Sequence, residues 1–195
     1  MKLYDISQEV FNCCVFPGDP APKKEILNRM DAGGAYNLTA FSMCAHNGTH
    51  VDAPYHFIKD GKTVDAVGLE PFVGVVFVAE HSGVVTEADA GEILKKAKQI
   101  QRILIKGDAE VSLEAAQVFA SAGILLLGNE SQTVGPPSGP MAVHQVLLGA
   151  GVVLLEGVRL SAVAEGAYFL SAAPINLGGG DGAPCRALLM EFPIE

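Results

Sequence analysis

The chain has 195 residues, 49% of them apolar and 18% charged, and a formal net charge of −9. That length suits one domain with a core that needs no covalent staples, and the composition excludes a disordered chain. The acidic balance excludes nucleic acid and an anionic membrane as main partners, since both demand clustered Lys and Arg. The start, Met1-Lys2-Leu3-Tyr4-Asp5, lacks the apolar run of a signal peptide. The apolar stretch Val146–Leu155 is too short to span a bilayer and is broken by glycines. A cytoplasmic protein is therefore expected. Cys13, Cys14, Cys44 and Cys185 form no CxxC pair, and reduced thiols are expected of all four.

Up to about residue 70 the chain reads as strand and loop, with turn signals at Asp19-Pro20-Ala21-Pro22 and Asp31-Ala32-Gly33-Gly34. Tyr36–Ala45 reads as a strand that leads into a histidine-rich segment, and Phe72–Ala79 as a buried strand. Thr86, with Asp89 three residues on, predicts a helix N-cap, the helix running to about Lys98. Ile103–Lys106 is a short strand. Ser112 predicts the cap of a second helix that runs through Ala122 and ends at Gly123. Ile124–Leu127 is a strand, and a third helix follows Pro140 to Leu148, ended by Gly149 and Gly151. Val152–Leu155 and Arg186–Phe192 are the last strands. This alternation predicts a single α/β domain over residues 1–195, with a central mixed, partly parallel sheet flanked by helices.

Three of the chain's five histidines fall in His46-Asn47-Gly48-Thr49-His50-Val51-Asp52-Ala53-Pro54-Tyr55-His56. A helix presenting His46 and His50 at i and i+4 is excluded: Gly48, β-branched Thr49 and Val51, and Pro54 all oppose it. In extended chain, positions 46, 50, 52 and 56 share one face. A straight strand would hold His46 and His50 roughly 13 Å apart at about 3.3 Å per residue. One metal needs all its donors at about 2 Å, so the segment must curl, and Gly48 and Pro54 permit bends. Histidine with aspartate suits zinc, manganese or a related divalent ion, which would acidify water and polarise a carbonyl.

The pattern His-x-Gly-Thr-His-x-Asp-Ala-Pro-x-His resembles the signature of the metal-dependent cyclase family, which includes bacterial kynurenine formamidases (arylformamidases) and isatin hydrolases. Tyr4-Asp5-Ile6-Ser7, Phe16-Pro17-Gly18-Asp19, the stretch from His144 to Glu156, and Asp181-Gly182-Ala183-Pro184-Cys185-Arg186-Ala187 extend the resemblance along the chain. It implies a swivelling β/β/α-like fold and a homo-oligomer, dimer or tetramer. It implies His46, His50 and Asp52 as metal ligands, with His144 and Glu156 completing a second metal position, and one or two ions, zinc first and manganese as the alternative. His56 would be the catalytic acid/base. Read alone, His144 is equally a buried histidine on an apolar helix, and Glu156 a carboxylate closing a strand.

The implied reaction is hydrolysis of a C–N bond by water activated on the metal, with an aryl formamide such as N-formylkynurenine as substrate. A cyclic amide, imide or lactone is the alternative. Two other classes stay open: a non-catalytic metal-binding protein, and a thiol enzyme using Cys44 or Cys13. The loop Asn129-Glu130-Ser131, where the family often carries an aspartate, is expected near the substrate. Phe16, Tyr36, Phe41, Phe57 and Tyr168 are read as core side chains or, failing that, pocket walls. His81 is expected to be exposed and idle, and the run Gly178-Gly179-Gly180-Asp181-Gly182 to be a flexible turn close to the site.

Overall fold

Where buried apolar runs alternate with capped helices, the chain builds strand–helix–strand units. The computed structural model describes residues 1–191. Its strands are β1 (Lys2–Asp5), β2 (Lys23–Asn28), β3 (Leu38–Ser42), β4 (His50–Asp52), β5 (Val73–Glu80), β6 (Gly83–Val85), β7 (Arg102–Lys106), β8 (Ala109–Val111), β9 (Leu126–Asn129), β10 (Val153–Glu156), β11 (Gly166–Ser171), β12 (Gly182–Pro184) and β13 (Leu188–Glu191). Its α-helices are α1 (Glu87–Ala97), α2 (Leu113–Ser121) and α3 (Met141–Gly149).

One nine-stranded mixed sheet runs in the order β1-β13-β11-β5-β7-β9-β10-β4-β12. Its centre, β5-β7-β9-β10, is parallel, and α1, α2 and α3 lie on the successive crossovers. The remaining pairings are antiparallel. Side-chain alternation divides the core in two. Phe77, Ile103, Ile105, Leu127 and Leu154 pack with Ala90, Ile93, Phe119, Val143 and Leu147 of the helices. Val76, Val78, Leu104, Leu126, Val153 and Leu155 pack on the other side with Val51, Leu170 and Leu189. All three helices thus serve one face of the mixed α/β sheet; loops and antiparallel strands close the other.

The helix signals act as expected. Thr86 and Asp89 form a reciprocal capping box, and the Ser112 side chain accepts from the Ala115 N–H. Gly123 and Gly151 adopt the left-handed conformation just past α2 and α3. Strand bounds differ from the sequence reading. β9 begins two residues later than Ile124 and runs on through Gly128 and Asn129. A Cβ at Gly128 would lie 2.4 Å from the Leu155 carbonyl oxygen, so this glycine allows a close strand approach rather than a turn. The Asn129 amide is buried, donating to the carbonyls of Ala109 and Thr133. The last strand occupies Leu188–Glu191 rather than starting at Arg186; its expected end at Phe192 lies outside the described residues.

Among the described residues β2 and β3 pair only with each other. This arm carries Ile26, Leu27, Met30, Tyr36, Leu38 and Phe41, all exposed. Tyr36, read as a core or pocket residue, therefore stands at the surface, while Phe41 is exposed yet lines a cleft between the arm and the body, edge-on to Phe11. Tyr168 is core, edge-on to Tyr4, with its hydroxyl donating to the Ala164 carbonyl.

The histidine-rich segment curls where the sequence allows. Gly48 has φ +67°, β4 is extended for three residues only, and Pro54–His56 forms a 3-10 turn. Beyond its conformation, Gly48 has no room for a side chain, since a Cβ would lie 2.8 Å from the Cys13 Cβ. Gly48→Ala is expected to destabilise the protein by at least about 1 kcal/mol in urea unfolding; unchanged stability would contradict this role.

Candidate metal centre

The pairing of β4 with β10 creates the site. His50 lies opposite Glu156, and Asp52 opposite Leu154. Residues that pair directly in an antiparallel ladder share a face, so His50, Asp52 and Glu156 all project toward the helix layer. Val51, between them, enters the opposite core. His144 on α3 meets the same face: its Nε2 lies 3.2 Å from Glu156 Oε1 and 3.5 Å from Asp52 Oδ2. His50 Nε2 lies 3.4 Å from both Asp52 Oδ1 and Glu156 Oε2. His46 Nδ1 is 2.8 Å from Asp52 Oδ1. The five residues expected as ligands are thus brought together, although they come from a loop, two strands and a helix.

Each of the three histidines has its second nitrogen tied elsewhere. His50 Nδ1 donates to the Gly48 carbonyl at 3.1 Å, and His144 Nδ1 to the Pro140 carbonyl at 2.9 Å. His46 Nε2 lies 2.9 Å from Asp181 Oδ2. Outer acceptors of this kind set the tautomer and free the inner nitrogen for a cation. Glu156 Oε1 also accepts from the Val134 N–H at 2.8 Å. Asp52 Oδ2 is buried without a hydrogen-bond partner among the described residues. An orphaned carboxylate oxygen facing imidazole nitrogens fits a metal ligand. Donor atoms of His50, Asp52 and Glu156 all lie within 4.8 Å of one another, as do those of His46, Asp52 and His56. The residues present therefore fit a divalent metal, and the second set places His56 within reach of it.

His56, from the 3-10 turn, stacks on His46 with ring centroids 4.0 Å apart, its Nδ1 3.3 Å from Asp181 Oδ2. Burial lowers its pKa, outweighing the pull of the Asp52 charge. A cavity of about 360 Å³ opens over these groups, with Phe16, Phe57, Cys44, Gln132 and Thr133 among its walls. A larger cleft of about 570 Å³ between the β2–β3 arm and the body contains no histidine, so the smaller cavity is the chemical one.

The sequence places Asp181 in a stretch that resembles the family and in a glycine-rich turn close to the site, but gives it no role; its contact with His46 crosses 135 residues of sequence. Asp19, whose Oδ2 lies 3.7 Å from Cys44 Sγ, is another cavity residue that no local signal marked. The loop after β9 does reach the cavity, but through Gln132 and Thr133. Glu130 instead accepts the N–H groups of Gly107 and Leu160 and acts as a strut. Burial raises the Cys13 thiol, which disfavours its thiolate and counts against Cys13 as a nucleophile. His81 binds the Val84 carbonyl and is not among the cavity residues.

Burial opposes charge on His50 and His144, but Asp52 and Glu156 outweigh it and lift both to about 10. Burial likewise raises Asp52, yet the three imidazoles hold it well below the usual carboxylate range. An entering cation must displace the protons on His50 and His144. Zinc added to chelator-treated protein near neutral pH should therefore release protons, and affinity should weaken as pH falls. In the chelated protein both histidines titrate above their unfolded value of about 6.5. Their stabilisation is complete below that pH and is lost as pH rises through about 10. The chelated protein's Tm should thus decline on the alkaline side. Proton-neutral binding, or a Tm rising toward pH 10, would contradict this electrostatic picture.

Comparison with known proteins gives a consistent result. The family model "Cyclase" matches residues 4–136. A kynurenine formamidase of Salinibacter ruber is 34% identical over 99% of both chains. One of Erythrobacter litoralis is 32% identical over 98% of this chain and 95% of its own. Among solved structures, one described as a "potential metal-dependent hydrolase with cyclase activity" superposes with a TM-score of 0.83 at 28% identity, covering 98% of this chain and 99% of that one. Isatin hydrolase A of Labrenzia aggregata has a TM-score of 0.84 at 23% identity, covering 96% and 93%, and so shares the fold. The chain belongs to the cyclase family.

Proposed function

We propose that this chain is a metal-dependent amidohydrolase that cleaves the C–N bond of an aryl formamide, N-formylkynurenine being the leading substrate. The observation that carries the reading is the arrangement around Asp52 and Glu156: three histidines, each with its outer nitrogen tied and its inner nitrogen turned to the carboxylates. His46, His50 and Asp52 would hold the first metal position, and His144 and Glu156 would complete a second. Zinc is the first choice for this nitrogen and oxygen donor set, and manganese the alternative. When bound, the metal makes water acidic enough to be nucleophilic near neutral pH and polarises the substrate carbonyl.

His56 works beside that position. Its lowered pKa leaves it neutral near pH 7, able to take the proton from the attacking water and return it to the leaving nitrogen. Phe16 and Phe57 offer apolar walls to an aryl group. The kynurenine formamidases similar over the full chain favour a formamide over a cyclic amide or lactone.

The functional unit in this reading is a homodimer joined through the β2–β3 arm. Six exposed apolar side chains on the arm, at on the order of 100 Å² each, approach the roughly 800 Å² per partner of a standard interface. Ile26→Asp with Phe41→Asp should convert a dimer to monomers in light scattering; a wild-type monomer would remove the dimer from the reading.

The activity test is N-formylkynurenine hydrolysis by chelator-treated protein reconstituted with zinc or with manganese. Metal-restored turnover is expected, and metal-loaded protein that leaves the substrate intact would overturn the formamide assignment. His56→Ala should lower kcat about 10²–10⁴-fold while metal content is retained. Loss of metal from this variant would make His56 a ligand instead.

A further inference from the structure

We infer that Asp181 is a positioning residue that fixes, through one carboxylate oxygen, the tautomers of both His46 and His56. The inference rests on the hydrolase reading above and deepens it. Asp181 Oδ2 lies 2.9 Å from His46 Nε2 and 3.3 Å from His56 Nδ1, and the two rings are stacked. An ionised carboxylate only accepts, so both contacting nitrogens must carry their hydrogens. Once a cation takes the place of the proton between His46 Nδ1 and Asp52 Oδ1, His46 would be Nε2–H with Nδ1 bare, while His56 is Nδ1–H with Nε2 bare. The same oxygen thus readies one ring to bind a cation and the other to accept a proton. This is the logic of the carboxylate that orients a catalytic histidine in a serine hydrolase triad, here applied to two rings at once.

The backbone around Asp181 is built for this placement. The Ala53 N–H donates to the Asp181 carbonyl at 2.9 Å, and the Val64 N–H to the Gly180 carbonyl at 2.8 Å. Gly179 N–H donates to Asp65 Oδ1 at 3.0 Å. Gly182 pairs with Asp52 in the β12–β4 ladder. A Cβ at Gly182 would lie 2.6 Å from the Val51 carbonyl oxygen and 2.7 Å from His46 Cε1. The glycine therefore lets the strand press against the His46 ring and brings the preceding carboxylate to its far nitrogen. The glycine-rich run, expected to be flexible, is pinned at three successive residues by segment 53–65, which also carries His56.

The test is ¹⁵N-histidine NMR on the zinc-loaded full chain, wild type against Asp181→Ala and Asp181→Asn, together with zinc affinity and kcat and KM. Asp181 is partly exposed, so its truncation opens no buried cavity, and the asparagine variant preserves its shape. Wild type should show His46 as Nε2–H and His56 as Nδ1–H. In Asp181→Ala the His56 signals should move toward the Nε2–H form favoured in water. Zinc affinity should fall about 10–100-fold, as should kcat at saturating zinc, with KM changed less than about threefold. Unchanged tautomers in Asp181→Ala would overturn the inference, as would a loss confined to KM, which would make Asp181 a substrate contact. If wild type turns over no amide, the formamidase reading falls, while the tautomers still decide the role of Asp181.

Discussion

Two carboxylates buried on one face of a sheet set the terms for the rest of this molecule. Asp52 and Glu156 are 1% and 2% exposed, on adjacent strands. Uncompensated, each would cost several kcal/mol to remove from water. Positive charge must therefore be supplied from inside the protein. His50 and His144 each place one nitrogen within 3.5 Å of both carboxylates, and His46 places one on Asp52. Protons on these rings balance the charge in the metal-free protein, and a divalent ion held by the same donors would do so in their place.

The fold delivers these groups by combining two kinds of strand pairing. The parallel centre, β5 to β10, provides rigid strands whose alternate side chains fill two cores. β4 then enters antiparallel beside β10, bringing His50 and Asp52 against Glu156 from a distant part of the sequence. The site lies past the C-terminal end of β10 and next to the loop after β9, a region where open α/β sheets commonly bind ligands. α3 closes it from above through His144. Glycines make the approach possible: a Cβ at Gly157, just beyond Glu156, would lie 2.3 Å from the Gly48 carbonyl oxygen.

How much of this was legible in the sequence depended on distance along the chain. Residues 46 to 56 could be read because donors recur at even spacings and Gly48 and Pro54 mark where an extended chain must bend. The caps at Thr86 and Ser112 were legible because capping is a local hydrogen-bond pattern. His144 and Glu156 pointed to a site only through family resemblance; alone, each has an ordinary structural explanation. Asp181 was hidden in a glycine run because its meaning comes from a contact 135 residues away. β3 falls within the strand expected at 36–45, whereas its partner β2 escaped because both of its faces are exposed, which removes the alternation that betrays a half-buried strand. β9 was misplaced because a glycine and an asparagine, usually turn residues, continue it within the sheet.

The most direct test of the carboxylate-centred site is anomalous diffraction at the zinc edge from crystals of the reconstituted protein. The arrangement predicts a peak about 2.0–2.2 Å from oxygens of Asp52 or Glu156 and from the inner histidine nitrogens, with the free nitrogen of His56 outside that distance. A zinc ion ligated directly by His56, or found only at the surface, would contradict it.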